Sequence, residues 1–129
     1  MSYLSHLSCS LTEKIYDADQ LIRLSEAGLP LLARYDLAKA RAELDRDELM
    51  RRVPNMWRFR ELLPVRDPLH IVSLGEGGTP VLGLCHLGKQ LGLNQLYVKD
   101  EGQNPTGSFK ALGLSAAVSR AMELGVTEF

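Results

Sequence analysis

The sequence predicts an α/β fold, and three observations carry that expectation. A short apolar run, Leu96-Tyr97-Val98, leads through a tight loop into a long helical pattern from Ser108 to Leu124, which reads as strand, loop, helix. Leu84, Leu87 and Leu91 recur three and four apart, the period of a helix, and Gly92 follows as a C-terminal cap. Short extended candidates stand between turn residues at Ile15 to Leu21, Gly28 to Asp36 and Ile71 to Leu74.

The remaining elements follow in chain order. Ser2 to Tyr35 is the least regular part, with a strand end and turn from Ile15 and a turn and second strand from Gly28. Leu37 to Val53 is rich in Ala, Leu, Arg and Glu, all good helix formers, with Asp36 as N-cap. Asp45-Arg46-Asp47-Glu48 interrupts the apolar spacing, so one solvated helix or two short ones are expected. Pro54 ends this part, because proline has no amide to donate. Asn55 to Leu63 predicts a short amphipathic helix with Met56, Phe59 and Leu63 on one side and Trp57 in a core or interface. Pro64 and Pro68 make Val65 to Leu69 an extended linker. Gly75 to Pro80 is a loop whose three glycines permit unusual backbone angles and close approach to a ligand. Cys85 and His86 are expected to be structural. The last helix has Leu112, Ser115, Ala116, Ser119 and Met122 on one side and Ala111, Leu114, Val118 and Ala121 on another, so burial on two sides is expected. Gly125 closes it, and Val126 to Phe129 starts another strand.

Composition excludes several classes. With 45% hydrophobic and 24% charged residues in a chain of 129, a wholly disordered polypeptide is excluded and one domain is the natural expectation. Fifteen basic and sixteen acidic residues leave a net charge of −1, which gives no reason to expect nucleic acid or an anionic membrane as partner. No apolar run reaches the length of a membrane span, and Met1 to Ser10 lacks the basic start and apolar core of a secretory signal. Two distant cysteines, Cys9 and Cys85, make no disulfide framework, so a cytoplasmic setting is expected.

The chemistry centres on Lys110 in the loop Asn104-Pro105-Thr106-Gly107-Ser108-Phe109-Lys110. A helix N-terminus favours anions, and a cation there is unfavourable unless compensated. A lysine that gives up its charge to an aldehyde fits, as does one facing a phosphate. A P-loop fails on register, because Ser108 stands where the lysine should follow the last glycine, and a dinucleotide fingerprint lacks its three glycines. From the residues alone, an ordinary turn with Lys110 in water stays open.

These words together resemble a known family. Asn104 to Lys110, preceded by Val98-Lys99-Asp100-Glu101, is similar to the lysine motif of threonine synthases and their fold-type II pyridoxal-phosphate relatives. Gly75-Glu76-Gly77-Gly78-Thr79-Pro80 resembles the glycine-rich loop of that family, and Met56 to Pro64 resembles the segment leading into it. The resemblance covers essentially the whole chain and corresponds to the N-terminal part of a tryptophan synthase beta-like fold. Ala111-Leu112-Gly113 departs from the Asp-Arg-Gly common after this lysine in threonine synthases, and from the Ala-Arg-Gly of other members, which leaves the subfamily open.

The resemblance implies that Lys110 is catalytic and binds pyridoxal 5'-phosphate as a Schiff base, flanked by Ser108 and Phe109, with Thr79 facing substrate or stabilising its loop. Such an amine must be deprotonated to attack an aldehyde, so burial of Lys110 in a dry crevice is expected. Asn104 and Thr106 are expected to shape the loop. The implied reaction is conversion of O-phosphohomoserine and water to threonine and phosphate. Threonine or serine dehydratases and cysteate synthases stay open as alternatives. So does a non-catalytic module that needs a second copy or a missing C-terminal part to complete its fold.

Some members begin with a zinc ribbon of two Cys-x-x-Cys knuckles. Here Thr12 follows Cys9 at that spacing, and Leu24 and Ala27 stand at the second knuckle. A structural zinc needs about four ligands, and Cys9 with His6 cannot supply them. We therefore expect residues 1–35 to form a degenerate ribbon-like lobe without metal, an irregular arm being the alternative, and 36–129 to be the incomplete start of a catalytic fold. The family's remaining cofactor groups come later in its chains, so this polypeptide alone is expected to bind cofactor weakly or not at all.

Overall fold

A computed structural model describes residues 2–129. The N-terminal strands form an antiparallel sheet in the order β2-β1-β3, with β1 at Leu4–Cys9, β2 at Ile15–Tyr16 and β3 at Leu31–Tyr35. Leu7 pairs with Tyr16 on one side and Ala33 on the other. Leu4, Ser8 and Cys9 are the buried members of the central strand.

Asp36 then starts α1, Leu37–Glu43, its side chain accepting from the Lys39 amide at 2.8 Å. Asp45 does the same for α2, Arg46–Arg51, from Glu48 at 2.9 Å. The acidic run therefore begins a second short helix, because each aspartate satisfies an amide that lacks an intrahelical partner.

The segment Met56–Leu62 is a 3-10 helix with a kink at Phe59. Its buried face is Trp57 and Glu61, four apart, whereas Phe59 is 46% exposed. This corrects the expected face of Met56, Phe59 and Leu63, and the reason is polar. Arg52 meets both Glu61 oxygens at 2.8 Å, also reaches Glu48 at 2.8 Å, and donates to the Arg58 carbonyl at 2.7 Å. Burial pushes the Glu61 carboxyl up, but the bonds from Arg52 outweigh it and leave it below its usual range. A charge outside the expected apolar face is thus held inside by a fork of matching geometry.

Val65 is buried, and Pro68–His70 makes a helical turn, so the expected linker packs rather than floats. Ile71 to Leu74 forms no strand. The Val72 amide donates to Ser119 Oγ at 2.9 Å, and its carbonyl lies 2.7 Å from Ser115 Oγ. Side chains of the last helix take the place of a neighbouring strand.

Strands β4, Val81–Gly83, and β5, Tyr97–Lys99, pair antiparallel around α3, Cys85–Gln90. The sequence reading missed β4, which follows directly on Pro80. The leucine stripe of α3 is also less buried than its period suggests, with Leu87 at 44% and Leu91 at 60% exposure.

The final helix, α4, spans Lys110–Glu123, buries Ala111 and Ser119, and ends before Gly125, whose φ is +87°. Val126 to Phe129 is irregular rather than a strand start. α4 ties the chain ends together. Arg120 donates to the Ala18 carbonyl at 2.7 Å, and Glu123 accepts from the Arg66 and Asp67 amides at 2.9 and 2.6 Å.

Removing Arg52 leaves a buried carboxylate without its cation. Arg52→Ala is expected to lose about 3 kcal/mol of stability, read as a lower urea midpoint. Arg52→Lys recovers only part of it, since an ammonium cannot face both oxygens as a fork.

Candidate active site

Two loops and one helix end build the site. The loop 75–80 follows the stretch held by Ser115 and Ser119. Gly77 and Gly78 adopt φ of +95° and +64°. A Cβ on Gly78 would lie 1.9 Å from the Pro54 carbonyl, and one on Gly77 would lie 2.6 Å from the Met56 amide. These glycines therefore let the loop press against residues 54–56 of its own chain. The Met56 amide confirms the contact by donating to the Glu76 carbonyl at 2.8 Å.

Glu76 is the residue that sequence reasoning overlooked. It is 1% exposed. Its Oε1 accepts from Trp57 Nε1 at 2.9 Å, Ser115 Oγ at 2.5 Å and Ser73 Oγ at 3.1 Å, and its Oε2 accepts from the Leu74 amide at 2.8 Å. Burial pushes this carboxyl up, but the Ser115 hydroxyl and the backbone amides pull harder and hold it below its usual range. The available signal was Trp57, a buried indole that needs an acceptor.

The lysine loop is fastened to the same structure by Asn104, which is 4% exposed. Its Oδ1 accepts from the Gly77 amide at 2.9 Å, and its Nδ2 donates to Glu101 Oε2 at 2.7 Å and the Glu101 carbonyl at 2.9 Å. Asn104 thus shapes the loop, as its side-chain chemistry suggested. Thr106 Oγ1 donates to the Ser108 carbonyl at 3.3 Å within the same loop.

Thr79 is buried and committed. Its hydroxyl donates to Glu101 Oε1 at 2.9 Å, and Lys99 Nζ reaches both its carbonyl and its hydroxyl. Bonds from Asn104 and then Thr79 hold the Glu101 carboxyl below its usual range. Of the two roles considered for Thr79, the geometry supplies the one of stabilising its loop.

Lys110 is the first residue of α4, in the first turn as the sequence predicted. Its amide donates to Ser108 Oγ at 3.2 Å, a capping bond, and the Ala111 amide donates to the Ser108 carbonyl at 3.2 Å. The expected burial of Lys110 is corrected: the side chain is exposed. Thr106, Gly107 and Phe109 beside it are exposed too, with Phe109 at 64%, so none of the described residues covers the first turn. Lys110 Nζ makes no hydrogen bond or ion pair among the described residues. Lys14, Lys39 and Lys99 each face a carboxylate. A cavity of about 240 Å³ lies beside this end of the helix, lined by Val72, Leu74, Ala111, Leu114 and Val118 together with Glu76.

In the N-terminal sheet, Ser25 rather than Leu24 faces Cys9. The sulfur lies 3.3 Å from Ser25 Oγ and 3.5 Å from the Thr12 amide, and Leu24 is 53% exposed. These partners, Ser25 first, draw the Cys9 thiol down to about 6. No group of three or more metal-ligating side chains occurs among the described residues.

With this geometry established, comparison with known proteins places the chain. Residues 72–128 match the family described as pyridoxal-phosphate dependent enzyme. That stretch holds both Thr79 and Lys110, and the chain is a relative of this class. Within the class it is similar to threonine synthases. It is 46% identical over 118 residues to the threonine synthase of Methanocaldococcus jannaschii and 38% identical over 123 residues to that of Methanosarcina acetivorans. These matches cover 92% and 94% of this chain and 29% of each relative. A threonine synthase of Halalkalibacterium halodurans is 48% identical over 67 residues, covering 52% of this chain and 19% of that protein. The chain therefore spans under a third of the length of these relatives.

The family implies pyridoxal phosphate as its cofactor. The residues here fit its aldehyde end, because Lys110 presents an exposed amine without a partner among the described residues. They fit its phosphate end less well. The amides of the first turn of α4 are already taken by Ser108 and Phe109.

Because the folded Glu76 carboxyl lies below its unfolded value of 4.5, its contribution is present above that pH and is lost as pH falls through the lower folded value. Acid titration of the folded fraction is expected to show this loss. Glu76→Gln is expected to be about 2 kcal/mol less stable at pH 7 and to have a shallower acid limb, since one buried donor is left opposing the amide.

Proposed function

We propose that this chain supplies the lysine-bearing segment of a threonine-synthase-like lyase that converts O-phosphohomoserine and water to threonine and phosphate. The observation that carries this reading is the placement of Lys110. Its amine, without a partner among the described residues, stands at the head of α4, on a loop that Asn104 locks to the glycine loop. The relatives named threonine synthase support the substrate class. Ala111-Leu112-Gly113 after the lysine keeps the dehydratase and cysteate synthase readings as alternatives.

Pyridoxal phosphate, when bound, supplies an aldehyde and an electron sink. The chain's own part is to hold and move protons. Lys110 is the residue to bind the aldehyde carbon and then, released at the reacting face, to take and return protons on substrate carbons. Ser108 caps the turn that carries it, and Phe109, exposed beside it, offers an apolar surface for the ring. Thr79 acts on substrate only through the loop it fixes. The dry crevice that imine formation asks for needs cover over the exposed turn, from a second copy or from the remainder of a longer chain. Val81, Leu82, Tyr97 and Val98, all exposed on the β4–β5 sheet, support such a meeting. A non-catalytic module completed by a partner would use the same face.

We read residues 1–35 as a metal-free counterpart of a zinc ribbon and 36–129 as the start of the catalytic fold. The hydrogen bond between Cys9 and Ser25, where a ribbon would gather ligands, supports this. A cytoplasmic setting is our reading from two free cysteines. No helix among the described residues is long and apolar enough to cross a membrane.

Two measurements test these statements. After incubation with pyridoxal phosphate and borohydride reduction, peptide mapping is expected to find label at Lys110 above Lys14, Lys39, Lys89 and Lys99, with only weak visible absorbance before reduction. Label spread evenly over the five lysines would remove the special role of Lys110. Adding zinc, or chelating it, is expected to leave the melting temperature unchanged. A zinc-dependent rise would show ligands that the sheet conceals.

A further inference from the structure

We propose that the hollow lined by residues 51–60 binds a dianionic phosphate group, free or carried as a monoester. That segment contains four arginines and no acid, in a chain whose net charge is −1. Arg58 Nε donates to the Leu49 carbonyl at 3.1 Å, which folds the segment back onto the end of α2 and gathers the arginines. Arg51, Arg52, Arg58 and Arg60 all line one hollow of about 440 Å³, and no carboxylate lines it. That volume is within the usual range for small-molecule sites.

The fold uses only part of this charge. Arg52 is engaged by Glu61 and Glu48, both at 2.8 Å. Arg58 holds the Leu49 carbonyl through Nε and Nη2, and its Nη1 has no partner among the described residues. Arg60 approaches Glu61 through Nε alone, at 3.6 Å. The Arg51 guanidinium has no hydrogen bond or ion pair among the described residues, although Asp47 lies one helical turn before it. Asn55 adds a donor: its Oδ1 accepts from the Trp57 amide at 3.0 Å, and its Nδ2 has no partner among the described residues. Val53 and Trp57, whose Nε1 is turned to Glu76, supply the apolar part of the wall.

These features select the ligand. Four arginines against Glu48 and Glu61 leave an excess of two positive charges. A phosphate group at neutral pH carries about two negative charges and three terminal oxygens. Guanidinium forks meet such oxygens in pairs, which a lysine ammonium does not. A carboxylate or a sulfate ester brings a single charge and leaves half of the excess unmet. The hollow is distinct from the site at Lys110, since neither the lysine loop nor the glycine loop lines it. Asn55 and Arg58 also border a groove beside the glycine loop, whereas Arg51 and Arg60 do not.

The test titrates the full chain with phenyl phosphate, inorganic phosphate and phenyl sulfate, at neutral pH and constant ionic strength. The readout is the backbone amide resonances of residues 51–60 in proton–nitrogen spectra. The phosphates are expected to shift these resonances saturably and to bind about tenfold more tightly than phenyl sulfate, the value of one charge-assisted bond. Tighter binding of phenyl phosphate identifies an ester as the occupant, and tighter binding of inorganic phosphate the free ion. Arg51 and Arg60 are exposed, and Glu61 keeps its fork from Arg52, so Arg51→Gln combined with Arg60→Gln keeps the fold. That double variant is expected to bind phenyl phosphate about tenfold more weakly. Unmoved resonances, equal binding of phenyl phosphate and phenyl sulfate, or undiminished binding in the folded double variant would each overturn the proposal. The comparison of the two esters on the unaltered chain decides the matter even where the variant does not fold.

Discussion

A single carboxylate inside the protein governs the arrangement of everything near the lysine. Glu76 gathers donors from three separate regions: the indole at Trp57, the serine and amide at Ser73 and Leu74, and the helix serine at Ser115. A buried charge is tolerated only when its lone pairs are satisfied. The need to satisfy Glu76 therefore fixes the path of residues 71–78 across the helix. Asn104 carries that order onward, since it reads the Gly77 amide next door and holds Glu101 on its other side. The amine at Lys110 is placed by this chain of contacts, while its own surroundings stay open.

The molecule shows a contrast between backbone and side chains at its site. Gly77 and Gly78 bring two stretches of main chain into direct contact, and Thr79, Lys99 and Glu101 close a polar knot beside them. These side chains are bonded to one another within the chain. What faces outward is Lys110 with Phe109, at the end of a helix whose far half is anchored to the N-terminal sheet. Rigid support and an open reactive end fit a segment whose cover comes from elsewhere.

Much of this was legible in the sequence where the signal was local. Asp36 announced a helix because a short acceptor before a run of helix formers satisfies a free amide, and Gly92 and Gly125 closed helices through their backbone freedom. Lys110 fell in the first turn of α4 as expected. The failures were non-local. Ile71 to Leu74 has the composition of a strand, but the Val72 amide donates to Ser119, 47 positions away, instead of to a neighbouring strand. Glu61 lay outside the expected apolar face of Met56, Phe59 and Leu63, yet Arg52 holds it inside. Glu76 sat unnoticed between glycines, because no pattern within six residues shows that an indole nineteen positions earlier will need its oxygen.

That scattered origin has a bearing on synthesis. On the ribosome, the acid at position 76 is made long before Ser115, 39 positions later, which supplies the shortest of its bonds. Until that serine clears the exit tunnel, the acid has no complete set of donors and keeps its water. Burial of this region thus waits for the last helix, and a nascent chain halted before it would expose the tryptophan it normally hides.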